Sequence, residues 1–202
     1  MDTFRHTVAL LLVLIVPAIF VYWFLLHTLL PLWRRLGGAA SMVLLWLCFV
    51  ASAVLVSLWR AALLWNDYGF NPLCTAVGVI CLAGAAVFRL QIERSFPWTA
   101  QTGLPEIDPA RHAQQLVTEG PYAHTRNPRY IQIFLALIGW AFLANYAAGY
   151  LFALMWAPLA AVIVFFEERE LRRRFGPEYE NYRERVARFW PHAAATNHRV
   201  KA

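Results

Sequence analysis

Four stretches of this chain carry no charged side chain: residues 8–26, 36–59, 68–88 and 131–166, of 19, 24, 21 and 36 residues in a 202-residue sequence. A bilayer core about 30 Å thick takes about 20 helical residues. Each of the first three runs suits one membrane span. The fourth would reach about 54 Å as a single helix at about 1.5 Å per residue. That is too long for one crossing, and Asn145 and Gly149 fall near its middle, where a tight turn belongs. The spacing therefore predicts a hairpin of two short helices, 130–144 and 149–166, with Pro158 bending the second. The expected fold is all-α: a polytopic integral membrane protein with about five transmembrane helices and a cytoplasmic C-terminal catalytic region. The first run is long and aromatic and no small-residue cleavage site follows it, so it reads as a retained helix and not a signal peptide.

Composition excludes the main alternatives. Hydrophobic residues make up 60% of the chain and charged ones 15%. Soluble domains average about 25% charged, so a soluble enzyme, a disordered tail and a disulfide-framed secreted domain are all poor fits. The chain reads as one membrane domain, 1–202. Residues 1–90 form three N-terminal spans, and 91–202 form a cofactor-binding region with the hairpin and a cytoplasmic C-terminal helix. Five spans put 16 of the 18 basic side chains on one side, leaving Arg5 and Arg60 on the other. The positive-inside rule then sets the N-terminus outside and the C-terminus in the cytoplasm. The net charge of +6 points to anionic lipid and not to nucleic acid. Cys48, Cys74 and Cys81 sit in apolar runs without metal-ligand spacing and are read as packing residues, with no metal site.

Two polar segments carry the chemistry. The 91–129 segment opens with a stretch expected to be extended, from Phe96 to Pro109. It ends in Leu116-Val117-Thr118-Glu119-Gly120-Pro121-Tyr122 and Arg126-Asn127-Pro128-Arg129-Tyr130. Gly120-Pro121 and Asn127-Pro128 are turn signals. Taken alone these residues fit an interfacial linker, with Asn127 capping a helix and the arginines near lipid phosphates, as well as they fit a binding loop. The second segment begins at Glu167-Glu168, after a long uncharged run. Adjacent helical residues point about 100° apart, so at most one of the two faces a site. Glu167, nearer the membrane, is the one expected to hold a cationic group, with Glu168 at the rim. Glu168/Arg172 and Glu170/Arg174 stand at i, i+4 and are expected to pair. Leu171, Phe175, Tyr179, Tyr182 and Val186 recur at helical spacing, and Gly176-Pro177 interrupts that helix. Residues 192–202 read as a frayed tail.

Together, Leu-Val-Thr-x-Gly-Pro-Tyr-x-x-x-Arg-Asn-Pro-x-Tyr, an apolar hairpin and Glu-Glu-x-x-Leu-x-x-x-Phe-Gly-x-x-Tyr-x-x-Tyr with a Phe-Trp-Pro ending resemble the isoprenylcysteine carboxyl methyltransferase family. The wider group of membrane methyltransferases that includes phospholipid N-methyltransferases is similar. The likeness covers about residues 114–191. It implies methyl transfer from S-adenosyl-L-methionine, giving S-adenosyl-L-homocysteine, to a lipophilic or prenylated acceptor that enters from the bilayer. By this resemblance Gln114, Gln115, Leu116, Val117, Tyr122, Asn127, Pro128, Arg129, Tyr130 and Glu167 contact the cofactor. Glu167 would take its ammonium and Arg126 its carboxylate, and these two are the residues assigned to catalysis.

Two departures bear on substrate. Asn127 stands where the family usually has His and cannot act as a base at neutral pH. Ile163 stands at a substrate-pocket position that holds Arg in the eukaryotic enzymes, so a carboxylate acceptor would lose its partner. His112 and His124 are the nearby histidines and are read as interfacial. Within the class the acceptor is a prenylcysteine carboxylate, a thiol or a phospholipid amine. A sterol-reductase-like NADPH enzyme is the alternative chemistry, disfavoured by the acidic 167–170 run, because a 2′-phosphate calls for clustered basic residues. A scaffold or transporter is a third reading, but neither inverted repeats nor broken helices are evident.

Overall fold

A computed structural model of the chain describes residues 1–64, 66–95, 107 and 115–189. The regular secondary structure of the described residues is helical, apart from one isolated bridge between Asp67 and Tyr146. In chain order the helices are α1 (Asp2–Thr28), α2 (Leu30–Leu36), α3 (Gly38–Ser57), α4 (Arg60–Leu63), α5 (Pro72–Ser95), α6 (Pro128–Ala144), α7 (Ala147–Phe175) and α8 (Pro177–Arg185), with a 3-10 turn at Gly120–Ala123 before α6. Four of them, α1, α3, α5 and α7, are long and apolar enough to cross a membrane, while α6 is apolar but has 17 residues. The chain is an integral membrane protein.

The helices follow the charge-free runs with instructive differences. Gly37 adopts φ +85° and separates α2 from α3, and α3 fills most of the second run as one helix. The extra helix α2 was hidden because Arg34 and Arg35 lie in its last turn. The 36-residue run does fold as a hairpin. α6 stops at Ala144 because Asn145 takes a left-handed conformation (φ 56°), and α7 starts two residues later. α7 then runs through Pro158 and past Phe166 to Phe175, so the last span and the start of the polar tail are one helix. The segment from Phe96 to Pro109, apart from Ile107, and residues 192–202 lie outside the described residues.

Packing is built around α1, which contacts α3, α6 and α7, and around the α5–α6 pair. Val8, Leu12 and Val16 of α1 meet Trp156, Ala160 and Val164 of α7 and Tyr130 of α6 in one buried cluster. The α5–α6 approach is close: a Cβ on Gly78 would stand 2.8 Å from the Gly139 carbonyl oxygen, so glycine is required there. Outside this core, Leu47, Val50, Val54 and Leu55 of α3 are exposed. A soluble monomer does not carry so extended an apolar surface; lipid covers it here.

The two ends of the bundle differ. At one end Arg5 is buried. It donates to the Ala144 carbonyl (3.0 Å) and pairs with Asp67. Asn145 donates its amide to the Gly69 carbonyl (2.8 Å), and Tyr150 donates its hydroxyl to the Asn145 side-chain oxygen (2.9 Å). These bonds close the hairpin turn against the 66–71 loop. The opposite end holds the start of α6 and the polar half of α7, where the functional residues gather.

Candidate functional site

At that end a cavity open to solvent lies between the 115–130 segment, α6, α7 and α8. Its wall holds Gln115, Leu116, Val117, Tyr122, Arg126, Asn127, Arg129, Tyr130 and Glu167, all expected from the sequence. Leu171, Phe175, Tyr179 and Tyr182, the apolar face read from helical spacing, complete it. Gln114 and His112 lie outside the described residues. Pro128 is buried at the first turn of α6 and does not line the cavity. His124 is exposed.

Local chemistry explains the shape of the wall. Gly120 sits at φ +59°, and a Cβ there would come within 2.5 Å of the Ser95 hydroxyl. Glycine therefore lets the 3-10 turn press against the end of α5 and turn Tyr122 toward the cavity. Tyr130 donates its hydroxyl to the Glu167 carboxylate (2.7 Å), which fixes that carboxylate on the wall. Tyr182 donates to the Tyr122 carbonyl (2.7 Å) and so ties α8 to the turn. Burial pushes the Tyr122 and Tyr179 hydroxyls up to about 12, and that of Tyr182 higher still. All three stay protonated donors at neutral pH. The Tyr179 oxygen is buried with no hydrogen-bond partner among the described residues. Arg129 lies over the Trp23 ring of α1 at 4.6 Å.

Glu168 points elsewhere. It is buried (2% exposed) inside a ring of donors. One oxygen accepts from Arg126 Nε (3.1 Å) and Nη2 (3.0 Å) and from the Asn127 amide (3.4 Å). The other accepts from Arg188 Nε (3.2 Å) and Nη2 (2.7 Å). Around this ring, Arg126 N donates to the Ala187 carbonyl, and the Thr125 hydroxyl and Asn127 amide donate to the Arg188 carbonyl. The network sews the motif before α6 to the chain after α8.

This geometry corrects four sequence-based expectations. Arg126 was assigned to the cofactor carboxylate; its guanidinium is instead engaged by Glu168 and by the Arg183 and Val186 carbonyls, so it positions the tail. Glu168 was placed at the rim and opposite Arg172; it is the buried hub, and Arg172 pairs with Glu180 (3.3 Å). Asn127, read either as a cap or as a cofactor contact, stands at the N-cap position of α6 and lines the cavity, but its side chain makes no capping bond and serves the network. Ile163 was placed in the substrate pocket; it is fully buried in the α1–α7 core, as an aliphatic side chain facing a helix interface should be. Arg188 was not singled out at all. It is one of three arginines in residues 183–188, and no local pattern announces its partner 20 residues earlier.

Tyr130 also lines a second, apolar cavity with Phe134, Trp156, Ala157, Ala160 and Phe189. That cavity lies along the α6–α7 groove and shares this one side chain with the polar cavity.

Comparison with known proteins gives the class of this helical membrane bundle. The phospholipid methyltransferase family model matches residues 73–178, just over half of the chain, and the chain belongs to this family. It is 29% identical over 143 residues to the nickel-cobalt-cadmium resistance protein NccN of Alcaligenes xylosoxydans xylosoxydans, covering 70% of this chain and 61% of that protein. The cobalt-zinc-cadmium resistance protein CzcN of Cupriavidus metallidurans is 29% identical over 143 residues, 70% of this chain and 60% of its own length. A protein-S-isoprenylcysteine O-methyltransferase of Schizosaccharomyces pombe is 36% identical over 72 residues, 35% of this chain and 30% of its own. The aligned region thus spans about three-fifths of the two resistance proteins. No solved structure matches the chain.

Proposed function

We propose that the chain is a membrane methyltransferase that uses S-adenosylmethionine and methylates a lipophilic acceptor drawn from the bilayer. One observation carries this reading. Two segments about 40 residues apart, each half of the family pattern, close on one cavity with a carboxylate held on its wall. The cavity suits the cofactor in chemistry: one acidic side chain, five aromatic rings and a buried tyrosine oxygen, that of Tyr179, without a hydrogen-bond partner among the described residues.

S-adenosylmethionine, when bound, supplies an electrophilic methyl group on a sulfonium for in-line displacement. The protein's part is to bind, orient and exclude water. Glu167 would accept the ammonium in charge-assisted hydrogen bonds. Tyr130 holds that carboxylate in place, and its ring lies between the polar cavity and the apolar one. Tyr122, Phe175, Tyr179 and Tyr182 offer faces to the adenine and the sulfonium. Gln115, Leu116 and Val117 cover the opening. The acceptor's apolar part would lie along Phe134, Trp156, Ala160 and Phe189, bringing its reactive atom to Tyr130. The acceptor itself is a prenylcysteine carboxylate, a phospholipid amine or a thiol. The excess of basic residues supports a cytoplasmic setting for this end of the bundle.

The test is calorimetric titration of S-adenosylhomocysteine into the detergent-purified protein, beside the Glu167→Gln variant. Saturable binding is expected. The variant, which keeps the shape and loses the charge, should bind more weakly by about 1.5–3 kcal/mol. Absence of binding by folded protein would overturn the reading and direct the same titration to NADPH.

A further inference from the structure

A second polar cavity opens at the same end of the bundle, between the last turn of α1, helix α2 and the polar half of α7. It measures about 230 Å³, and none of its lining residues belongs to the cofactor cavity. Its chemistry is set by His27, Arg34, Phe166, Arg169, Glu170 and Arg173.

Two observations point to a ligand. His27 is buried (7% exposed), and neither ring nitrogen has a hydrogen-bond partner among the described residues. An imidazole always carries at least one N–H donor, and buried donors are normally satisfied. The ring is stacked on Trp23 (centroids 5.5 Å apart, planes 17° apart), which leaves the in-plane nitrogens as its means of bonding. The charge around it is also unbalanced. Three guanidiniums line the cavity against one carboxylate, and that carboxylate, Glu170, pairs with Arg34. Arg169 and Arg173 have no carboxylate partner among the described residues.

Guanidinium forks match the oxygens of a phosphate, and a buried N–H donor adds to the same recognition. Phe166 is the last residue of the charge-free stretch, so the cavity sits where hydrocarbon gives way to headgroups. We propose that this cavity is a phosphate-binding site, distinct from the cofactor cavity, in which Arg169 and Arg173 hold the phosphate oxygens and His27 donates a ring N–H. The phosphate is either the diester of an anionic bilayer lipid or a free phosphate. The proposal does not depend on the methyltransferase reading, because it uses other residues and another ligand.

The experiment titrates two probes, inorganic phosphate and dihexanoylphosphatidylglycerol, into the full chain in detergent. It is run on the wild type, on Arg169→Gln/Arg173→Gln and on His27→Gln, with Glu167→Gln as the control at the other cavity. Saturable binding is expected, weakened about tenfold or more by the double arginine change. His27→Gln should also weaken it, and Glu167→Gln should leave it unchanged. Binding of the lipid probe alone assigns the site to the bilayer; binding of inorganic phosphate assigns it to a free phosphate. Because both arginines are exposed, the double variant should fold, as its thermal midpoint will report. Independently, the bound phosphate should shift the ring-nitrogen NMR signals of His27 in the wild-type protein. Binding of neither probe, binding indifferent to the double change, or an unmoved His27 signal overturns the proposal.

Discussion

Glu167 and Glu168 are neighbours in sequence with opposite tasks. One stands on a cavity wall with a single tyrosine donor, and the other is enclosed by two guanidiniums and an amide. Their substitutions should therefore separate. Glu167→Gln should weaken S-adenosylhomocysteine binding while leaving the thermal midpoint near that of the wild type. Glu168→Gln leaves Arg126 and Arg188 facing a neutral group, and breaking a buried ion pair from one side is costly. It should lower stability by about 2–3 kcal/mol, read by thermal unfolding in detergent. Its binding loss should follow from the loosened tail and should recover with added ligand. If Glu168→Gln kept its midpoint and Glu167→Gln lost it, the assignment of the two carboxylates would be reversed. The sequence supplied the 100° offset and the nearness of Glu167 to the membrane. It held no trace of Arg188 as a partner, because a loop-to-tail ion pair has no fixed spacing to recognise.

At the scale of elements, the hairpin rests on Asn145. The uncharged run showed that a turn was needed and where, since its length fits neither one span nor two full ones. What it could not show is how the turn is held, because the 66–71 loop and Arg5 arrive from distant parts of the chain. Asn145 is the non-glycine residue with positive φ among those described, and its side chain bonds both Gly69 and Tyr150. Asn145→Ala would keep the left-handed backbone at a cost of about 1–2 kcal/mol and lose those bonds at about 1 kcal/mol each. The expected loss in stability is about 2–4 kcal/mol, with Asn145→Gly recovering the backbone part only. Equal midpoints for the two variants would show that the side-chain bonds carry the turn. The α5–α6 contact makes a parallel case. Gly139→Val would drive a side chain into Leu82 of α5, where even a Cβ comes within 2.8 Å, and should destabilise the pair by about 1–3 kcal/mol. Helix α2 escaped the sequence reading for the opposite reason: a seven-residue helix with two arginines leaves no charge-free run to detect.

At the scale of the molecule, the two ends of the bundle carry the argument for orientation. Arg5, Asp67, Ala144 and Asn145 meet at one end, and Arg34 meets Glu170 at the other. These contacts alternate along the chain as they would if α1, α3, α5, α6 and α7 each crossed once. The 17 residues of α6 reach about 26 Å, a little under the hydrocarbon thickness. The cofactor cavity then shares its side with 16 of the 18 basic residues. This matters for the proposed function, because S-adenosylmethionine is a water-soluble cytoplasmic compound and a cavity that takes it would have to open there. The prediction can be read with single thiols placed after Cys48, Cys74 and Cys81 are changed to Ser. Thr3→Cys lies beside the Arg5 end and Glu178→Cys on α8, both at exposed positions. A membrane-impermeant maleimide added to intact cells should label Thr3→Cys and reach Glu178→Cys only after permeabilisation. The opposite pattern would turn the cavity away from its cofactor and remove the physical basis of the proposed reaction. Labelling of both thiols in intact cells would mean an even number of crossings, with α6 packed at the surface instead of spanning.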